Sequence, residues 1–291
     1  AHRYGSNNCR IAFLLTDSRS LSIPEETLFF AIKTKVGDGH QYIDELYRRG
    51  VRNFVVEDLP DNWLEVYPDA NFLYVLNTLS ALQRLAERHR DEFSIPIVGI
   101  TGSNGKTVIK EWLYQLLSPY RKVTRSPRSF NSQIGVPLSV WLLDNDTETA
   151  LFEAGISQRG EMAALERIIQ PTIGVITNIG PAHQENFESA EEKCREKLRL
   201  FKDAKTIVFC ADDEIVAKCL IENKPKGQLL CWSVNNTKTD LYVSSIKKND
   251  TTTDIKYRYN GNDHSFSIPF IDDASVRNTI TATLVCLHLG L

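Results

Sequence analysis

The sequence has no C-x-x-C pair, no apolar run long enough to span a bilayer, and no excess of basic charge. Each absence closes off a class of protein. The cysteines (Cys9, Cys194, Cys210, Cys219, Cys231 and Cys286) are scattered, so no zinc-knuckle or redox pair can be read from their spacing. Several lie in apolar runs such as Ile207-Val208-Phe209-Cys210, which reads as buried thiols in a reducing cytoplasm. A membrane helix needs about 20 consecutive apolar residues, so no membrane span is expected. A net charge of −3 argues against nucleic acid as a partner. The polar opening Ala1–Arg10 contains no signal-peptide core. The chain also lacks an initiator Met and stops inside an apolar helical pattern, Thr281–Leu291, so a fragment of a longer protein is expected.

What is present is a globular balance: 42% hydrophobic and 24% charged residues over 291 positions, enough for two domains with sizeable cores. In the first ninety residues, Thr27–Ile32, Asn53–Glu57 and Asn71–Leu76 read as strands. Ile43–Arg49 reads as a helix closed by Gly50. Asn77 then caps a helix carrying Leu79, Leu82 and Leu85 on one face. The charged run Glu87–Glu92 marks a boundary, giving domains 1–93 and 94–291. Beyond it, strands Ile95–Ile100, Ala150–Ala154, Thr172–Ile176 and Thr206–Cys210 alternate with helices Lys106–Leu117, Glu161–Ile169 and Ser189–Phe201. Such alternation predicts a parallel sheet covered by helices. From Leu241 to Phe270, Ile255, Tyr257 and Tyr259 alternate with polar residues, and Asn260-Gly261 is a hairpin signal. The fold class is therefore α/β: a small N-terminal α/β domain, then a P-loop-type central domain with a mostly parallel sheet and an antiparallel extension.

The chemistry centres on Gly102-Ser103-Asn104-Gly105-Lys106-Thr107, between a strand and an amphipathic helix. Glycines let backbone N–H groups approach phosphate oxygens, and the helix N-terminus adds a favourable dipole. Lys106 suits the β- and γ-phosphates of ATP, and the Thr107 hydroxyl suits Mg²⁺. Glu153 ends an apolar strand, where it is either a metal ligand or a carboxylate facing water. His183 follows the next strand, and a lone loop histidine is more often structural or solvated. Lys197 lies in a charged helix that by itself reads as a solvated face, and the basic stretch Arg121–Arg128 as a solvated loop. Asp17-Ser18-Arg19 and Asp38-Gly39-His40 are polar clusters that bind a ligand or make turns.

Taken together, the chain resembles the Mur ligases, ATP-dependent amide ligases of peptidoglycan precursor synthesis. The shared pattern is Thr101–Thr107, the Asn131–Pro137 segment (N-x-x-x-G-x-P), Glu153-Ala154-Gly155, the Thr177–His183 segment and Glu196–Phe201, in that order. Glu153-Ala154-Gly155 followed by Gly160-Glu161-Met162 is most like the member that joins D-alanyl-D-alanine to UDP-N-acetylmuramoyl-tripeptide. The resemblance implies that Gly102, Ser103, Asn104, Gly105, Lys106 and Thr107 hold ATP, with Asn278 near the adenine and Asn131 near the reacting phosphoryl group. It implies Mg²⁺ at Thr107 and Glu153, and a second ion at His183 and a carbamylated Lys197. It implies that Ser18, Arg19, Asp38 and His40 serve the uridine nucleotide. Two departures stand out: Arg277-Asn278-Thr279-Ile280-Thr281 lacks the family's histidine and second asparagine, and the family's third domain, a partner in the reaction, is absent. Rival readings are a ligase for another amino substrate, a folylpolyglutamate-synthase-like enzyme, a P-loop NTPase and a non-catalytic binding module.

Overall fold

The computed structural model describes residues 2–5, 8–34, 37–180 and 186–291. It divides into two compact units, residues 1–88 and 89–291.

The first unit contains strands β1 (His2–Tyr4), β2 (Phe13–Leu15), β3 (Thr27–Phe30), β4 (Lys33–Thr34), β5 (Gly37–Asp38), β6 (Asn53–Val56) and β7 (Asn71–Tyr74). Its helices are α1 (Ile43–Arg48), α2 (Trp63–Val66) and α3 (Thr78–Arg90), the last reaching into the start of the second unit. The main sheet has the order β1-β7-β6-β3-β2, parallel except for β1 at the edge. β6 is buried on both faces, which is why Phe54-Val55-Val56 reads as a continuous apolar run. Phe54 stacks on Phe72 with centroids 5.3 Å apart, and Leu46 and Val51 close the core above them. Asn77 Oδ1 accepts from the Ser80 N–H at 2.7 Å, the cap its position predicts for α3.

The second unit begins with β8 (Ile97–Thr101), α4 (Lys106–Leu117), β9 (Val123–Arg125), α5 (Gly135–Val140), β10 (Thr149–Glu153) and α6 (Glu161–Ile169). It continues with β11 (Ile173–Ile176), α7 (Ala190–Leu198), β12 (Thr206–Cys210), α8 (Glu214–Asn223) and β13 (Gln228–Ser233). β14 (Leu241–Lys248), β15 (Thr253–Tyr259), β16 (Asn262–Ile268) and α9 (Asp273–His288) complete it. The strand order is β16-β15-β14-β13-β12-β11-β8-β10-β9. Strands from β9 to β14 pair in parallel, and β14-β15-β16 form the antiparallel extension. The hairpin turn has Asn260 at φ 49° and Gly261 at φ 79°, the double left-handed geometry that an Asn-Gly pair favours.

Ile109, Leu113 and Leu117 recur at four-residue spacing, so one face of α4 enters the core with Val98 and Ile100 of β8. Several short elements, among them β9 and α5, carry too little periodicity to stand out in the sequence. The 121–128 stretch is not a solvated loop. It supplies β9, Arg121 donates to the Leu289 carbonyl at 3.1 Å, and the Arg125 guanidinium stands 3.5 Å over the Tyr114 ring. The cysteines are buried except Cys9, which is exposed, and Cys231, which is half-buried.

Candidate active site

β8 lies between β10 and β11, and the chain crosses from one side of β8 to the other after β10. Ligands of open α/β sheets bind beyond the carboxyl ends of strands at such a switch point. The loop 102–105 leaves β8 there and opens α4. Gly105 caps α4 at φ 84°, where any side chain would be strained. A Cβ on Gly102 would fall 1.9 Å from Thr177 Oγ1, so this position admits only glycine without rebuilding the turn. The segment after β11 clamps the loop. Ser103 N–H donates to the Asn178 carbonyl at 2.8 Å, Asn104 N–H to Asn178 Oδ1 at 3.2 Å, and Thr177 Oγ1 to the Asn104 carbonyl at 2.5 Å. Lys106 folds back on its own loop, donating to the Gly102 and Ser103 carbonyls at 2.8 and 3.1 Å. Burial pushes its ammonium below the usual lysine range, the carboxylate of Glu153 opposes this, and the charge of Lys193 adds to it.

Glu153 is fully buried rather than facing water. Oε2 accepts from Thr107 Oγ1 at 3.0 Å, and Oε1 faces the Lys110 ammonium at 3.0 Å as an ion pair, without a hydrogen bond of good geometry. Lys110, also fully buried, donates to the Ser126 carbonyl at 2.8 Å and to that of Arg128. Nothing in the sequence marked Lys110 except its place one helical turn after Lys106. Two oxygens held about 3 Å apart match neighbouring ligands of an octahedral Mg²⁺ at 2.0–2.1 Å, an ion that commonly takes one or two carboxylates plus phosphate oxygens. Thr107 and Glu153 fit that role, with Oε1 short of a hydrogen bond. Among the described residues no group of three or more His, Cys, Asp or Glu converges as a metal site. Asn131 lies beside them: its carbonyl accepts from the Gly155 N–H at 2.8 Å, and a Cβ on Gly155 would meet its side chain at 3.0 Å.

α7 departs most from expectation. It is not a solvated charged face: Lys193, Cys194, Glu196, Lys197 and Leu198 are all buried. The reason is that its charges are used inside the protein. Glu196 Oε1 accepts from the Gly160 N–H at 2.8 Å at the start of α6. Lys193 donates to the Gly180 carbonyl at 2.6 Å. Lys197 is 3% exposed, and its ammonium is pushed down to about 7, first by burial and then by the charges of Lys106 and Lys193. His183 lies outside the described residues. Asn278, at the first turns of α9, packs its side chain on Gly105, where an added Cβ would sit 2.5 Å from Oδ1.

In the first unit, Asp17 Oδ1 accepts from the Arg19 N–H at 3.1 Å, and its carboxylate pairs with the exposed Arg19 guanidinium at 2.6 Å. Ser18 is buried, and its carbonyl accepts from Arg49 at 2.9 Å. His40 Nε2 accepts the backbone N–H groups of Glu57 and Asp58 at 3.0 and 3.3 Å. The ring proton therefore sits on Nδ1, where it donates to Asp38 Oδ1 at 2.6 Å. Both nitrogens of His40 are thus engaged within the protein, while Arg19 presents its charge to solvent.

Fold and site define an α/β protein of two units with a phosphate-type loop at the switch point of a parallel sheet. Residues 100–286 match the family description "Mur ligase middle domain", and residues 10–90 match "Mur ligase family, catalytic domain". The chain belongs to the Mur ligase family. It is 28% identical to the UDP-N-acetylmuramoyl-tripeptide–D-alanyl-D-alanine ligase of Bacillus subtilis, over 95% of this chain and 58% of that protein. Against the ligase of the same name from Borreliella burgdorferi it is 30% identical, over 97% of this chain and 61% of that protein. The crystal structure of MurF ligase from Thermotoga maritima in complex with ADP superposes with a TM-score of 0.82 at 26% identity, covering 96% of this chain and 63% of that one. The chain thus spans about three fifths of the length of the relatives it matches. Among the described residues no helix is long and apolar enough to cross a membrane.

Proposed function

We propose that this chain is the nucleotide-binding part of a cytoplasmic, bacterial, ATP-dependent ligase that joins D-alanyl-D-alanine to UDP-N-acetylmuramoyl-tripeptide. The observation that carries this reading is the phosphate loop at the start of α4, with Thr107 hydrogen-bonded to the buried Glu153 and a buried Lys197 in the same unit. The names of the most similar relatives support the substrate assignment. In this reading residues 1–93, with Ser18, Arg19, Asp38 and His40, serve the uridine nucleotide. Arg19 meets its phosphates, and His40 shapes the turn. Residues 94–291 hold ATP, and the family's third domain is the remaining partner.

The loop amides and Lys106 bind the phosphates, and Asn278 steadies Gly105 beneath them. Thr107 and Glu153 would hold Mg²⁺, which when bound neutralises charge developing on the phosphoryl oxygens. His183 and carbamylated Lys197 would hold a second ion. The buried Lys197 amine, titrating at about 7 and so partly deprotonated near neutrality, suits attack on CO₂. An N–C bond forms, a proton leaves, and a carboxylate-like oxygen pair replaces a repelled ammonium. Asn131, packed on Gly155 beside Glu153, orients the phosphoryl group. The tripeptide carboxylate attacks the γ-phosphorus and ADP leaves, giving an acyl phosphate. The amine of D-alanyl-D-alanine then attacks the acyl carbon, loses a proton and expels phosphate.

The test is a ligation assay with the full-length protein, UDP-N-acetylmuramoyl-tripeptide, ATP, Mg²⁺ and a panel of amino acids and dipeptides. Preference for D-alanyl-D-alanine is expected; equal use of other amines would sink the assignment. Lys197→Ala should lower kcat by about a hundredfold or more, beyond rescue by bicarbonate. Near-normal turnover would remove the carbamate from the mechanism.

A further inference from the structure

Lys110 follows Thr107 by one turn of α4, and the two residues take opposite oxygens of one carboxylate. Thr107 Oγ1 donates to Glu153 Oε2 at 3.0 Å, and the Lys110 ammonium faces Oε1 at 3.0 Å. Lys110 and Glu153 are both fully buried. The same ammonium also holds the segment that follows β9. It donates to the carbonyls of Ser126 and Arg128, and Arg128 is kept in the left-handed region at φ 48°. Ser129, the next residue, brings its Oγ to 3.3 Å from Thr107 Oγ1, while Ser126 Oγ accepts from the Glu153 N–H at 3.3 Å. Lys110 therefore ties three pieces of chain together beside Thr107: α4, β10 and residues 126–129.

The charges around this junction balance. Lys110 also pairs with Glu111 at 3.1 Å, and Glu111 pairs with Arg125 at 3.2 Å, so two cations face two carboxylates. Packing alone does not call for such an arrangement, since buried ion pairs are often replaceable by apolar side chains of similar volume. A cation at Thr107 and Glu153 feels that balance. The affinity of an oxygen-ligand site follows the charge its ligands carry, and here the carboxylate is already matched by an ammonium on its other oxygen. A bare divalent ion would meet a neutral hydroxyl, a neutralised carboxylate and a fixed positive charge close by. Nucleotide phosphates add the missing negative charge. We propose that Lys110 is a positioning residue of the metal site: it holds Glu153 with one oxygen turned to Thr107 and, by carrying the counter-charge, prevents the pair from keeping a divalent cation until nucleotide phosphates join it. The proposal rests on the reading above in which Thr107 and Glu153 take Mg²⁺.

The experiment is titration of the nucleotide-free, full-length protein with Mn²⁺, the free ion counted by electron paramagnetic resonance and Mg²⁺ added as competitor. It compares wild type, Lys110→Met, Lys110→Arg, Glu153→Gln and a variant carrying both Lys110→Met and Glu153→Gln, all under CO₂-free conditions. Lys110→Met should bind Mn²⁺ about tenfold more tightly than wild type, and the variant carrying both changes should lose that gain. A merely structural lysine gives the opposite sign, because a loosened Glu153 binds more weakly. Lys110→Arg keeps the charge and should match wild type. Lys110→Met no tighter than wild type, a gain that survives in the variant carrying both changes, or Lys110→Arg as tight as Lys110→Met would each overturn the proposal. If Lys110→Met does not fold, Lys110→Gln takes its place. If neither folds, wild type decides: Mn²⁺ binding tighter than about 0.1 mM that Glu153→Gln removes overturns the proposal, and weaker binding upholds it. Isothermal titration of wild type and Glu153→Gln with ATP, with and without Mg²⁺, tests the reading beneath. No ATP binding, or ATP binding that neither Mg²⁺ nor Glu153→Gln alters, overturns the metal site itself. Mg²⁺-dependent ATP binding beside an unmoved Lys110→Met overturns the role of Lys110 alone.

Discussion

The Lys197 amine has little water around it, and two other lysine amines act on it from nearby. Its protonated form is disfavoured in the folded protein, with titration near 7, and is unrestrained in the unfolded chain. Below about 7 both states hold the proton, and the full penalty on folding is present. Between about 7 and the ordinary lysine range only the unfolded state holds it, so stability rises with pH there. The expected rise is at most about 1.4 kcal/mol per pH unit. Urea unfolding of wild type and Lys197→Met, measured from pH 6.5 to 10 under CO₂-free conditions without nucleotide, should diverge in slope over that window. Parallel curves would mean that the amine is not held neutral. Lys110 shows the opposite solution at the same scale: full burial, stabilised by Glu153, Glu111 and two backbone carbonyls.

At the scale of elements, α7 works as a bracket. Ser189 caps its start by accepting from the Glu192 N–H at 3.0 Å, Lys193 holds Gly180, and Glu196 caps the neighbouring helix α6. The second amide that Glu196 reaches, Met162 N–H at 3.4 Å, is buried, so truncation leaves helix-start donors without their partner. Glu196→Ala should therefore cost about 1–3 kcal/mol in denaturant unfolding, and Glu196→Gln, which keeps one acceptor oxygen, clearly less. Equal losses would place the effect in charge rather than capping. The amphipathic rule fails on α7 because its polar residues are satisfied by backbone groups of other elements, which no periodicity within the helix can register. It succeeds on α6, where Met162, Leu165, Ile168 and Ile169 form the buried stripe, and on α4 it places Ile109, Leu113 and Leu117 but misses the buried Lys110.

Across the molecule, the described residues named around the phosphate loop, Glu153, Asn131, Lys193, Lys197 and Asn278, all belong to residues 89–291. That unit expressed alone, from His89 so as to retain the Arg90 bonds to the Ile169 and Gln170 carbonyls at 2.9 and 3.0 Å, should fold cooperatively. It should also bind ATP within about tenfold of the 1–291 chain. Loss of all binding by a folded 89–291 protein would show that residues 1–88 complete the site.

The sequence by itself determined the parallel α/β plan, the phosphate loop and the antiparallel hairpin. Each depends on short-range facts: apolar runs bounded by turns, a glycine-rich strand–helix junction, an Asn-Gly pair. It also ordered Asn131, Glu153 and Lys197 by likeness to the Mur ligases. Only the tertiary structure decided how these groups are charged and held. Lys193, Lys197 and Lys110 look like ordinary surface lysines because burial is set by what packs against them from distant parts of the chain. Gly180 takes Lys193, and Ser126 and Glu153 take Lys110, and such contacts from distant parts of the chain turned residues that read as solvated into buried ones.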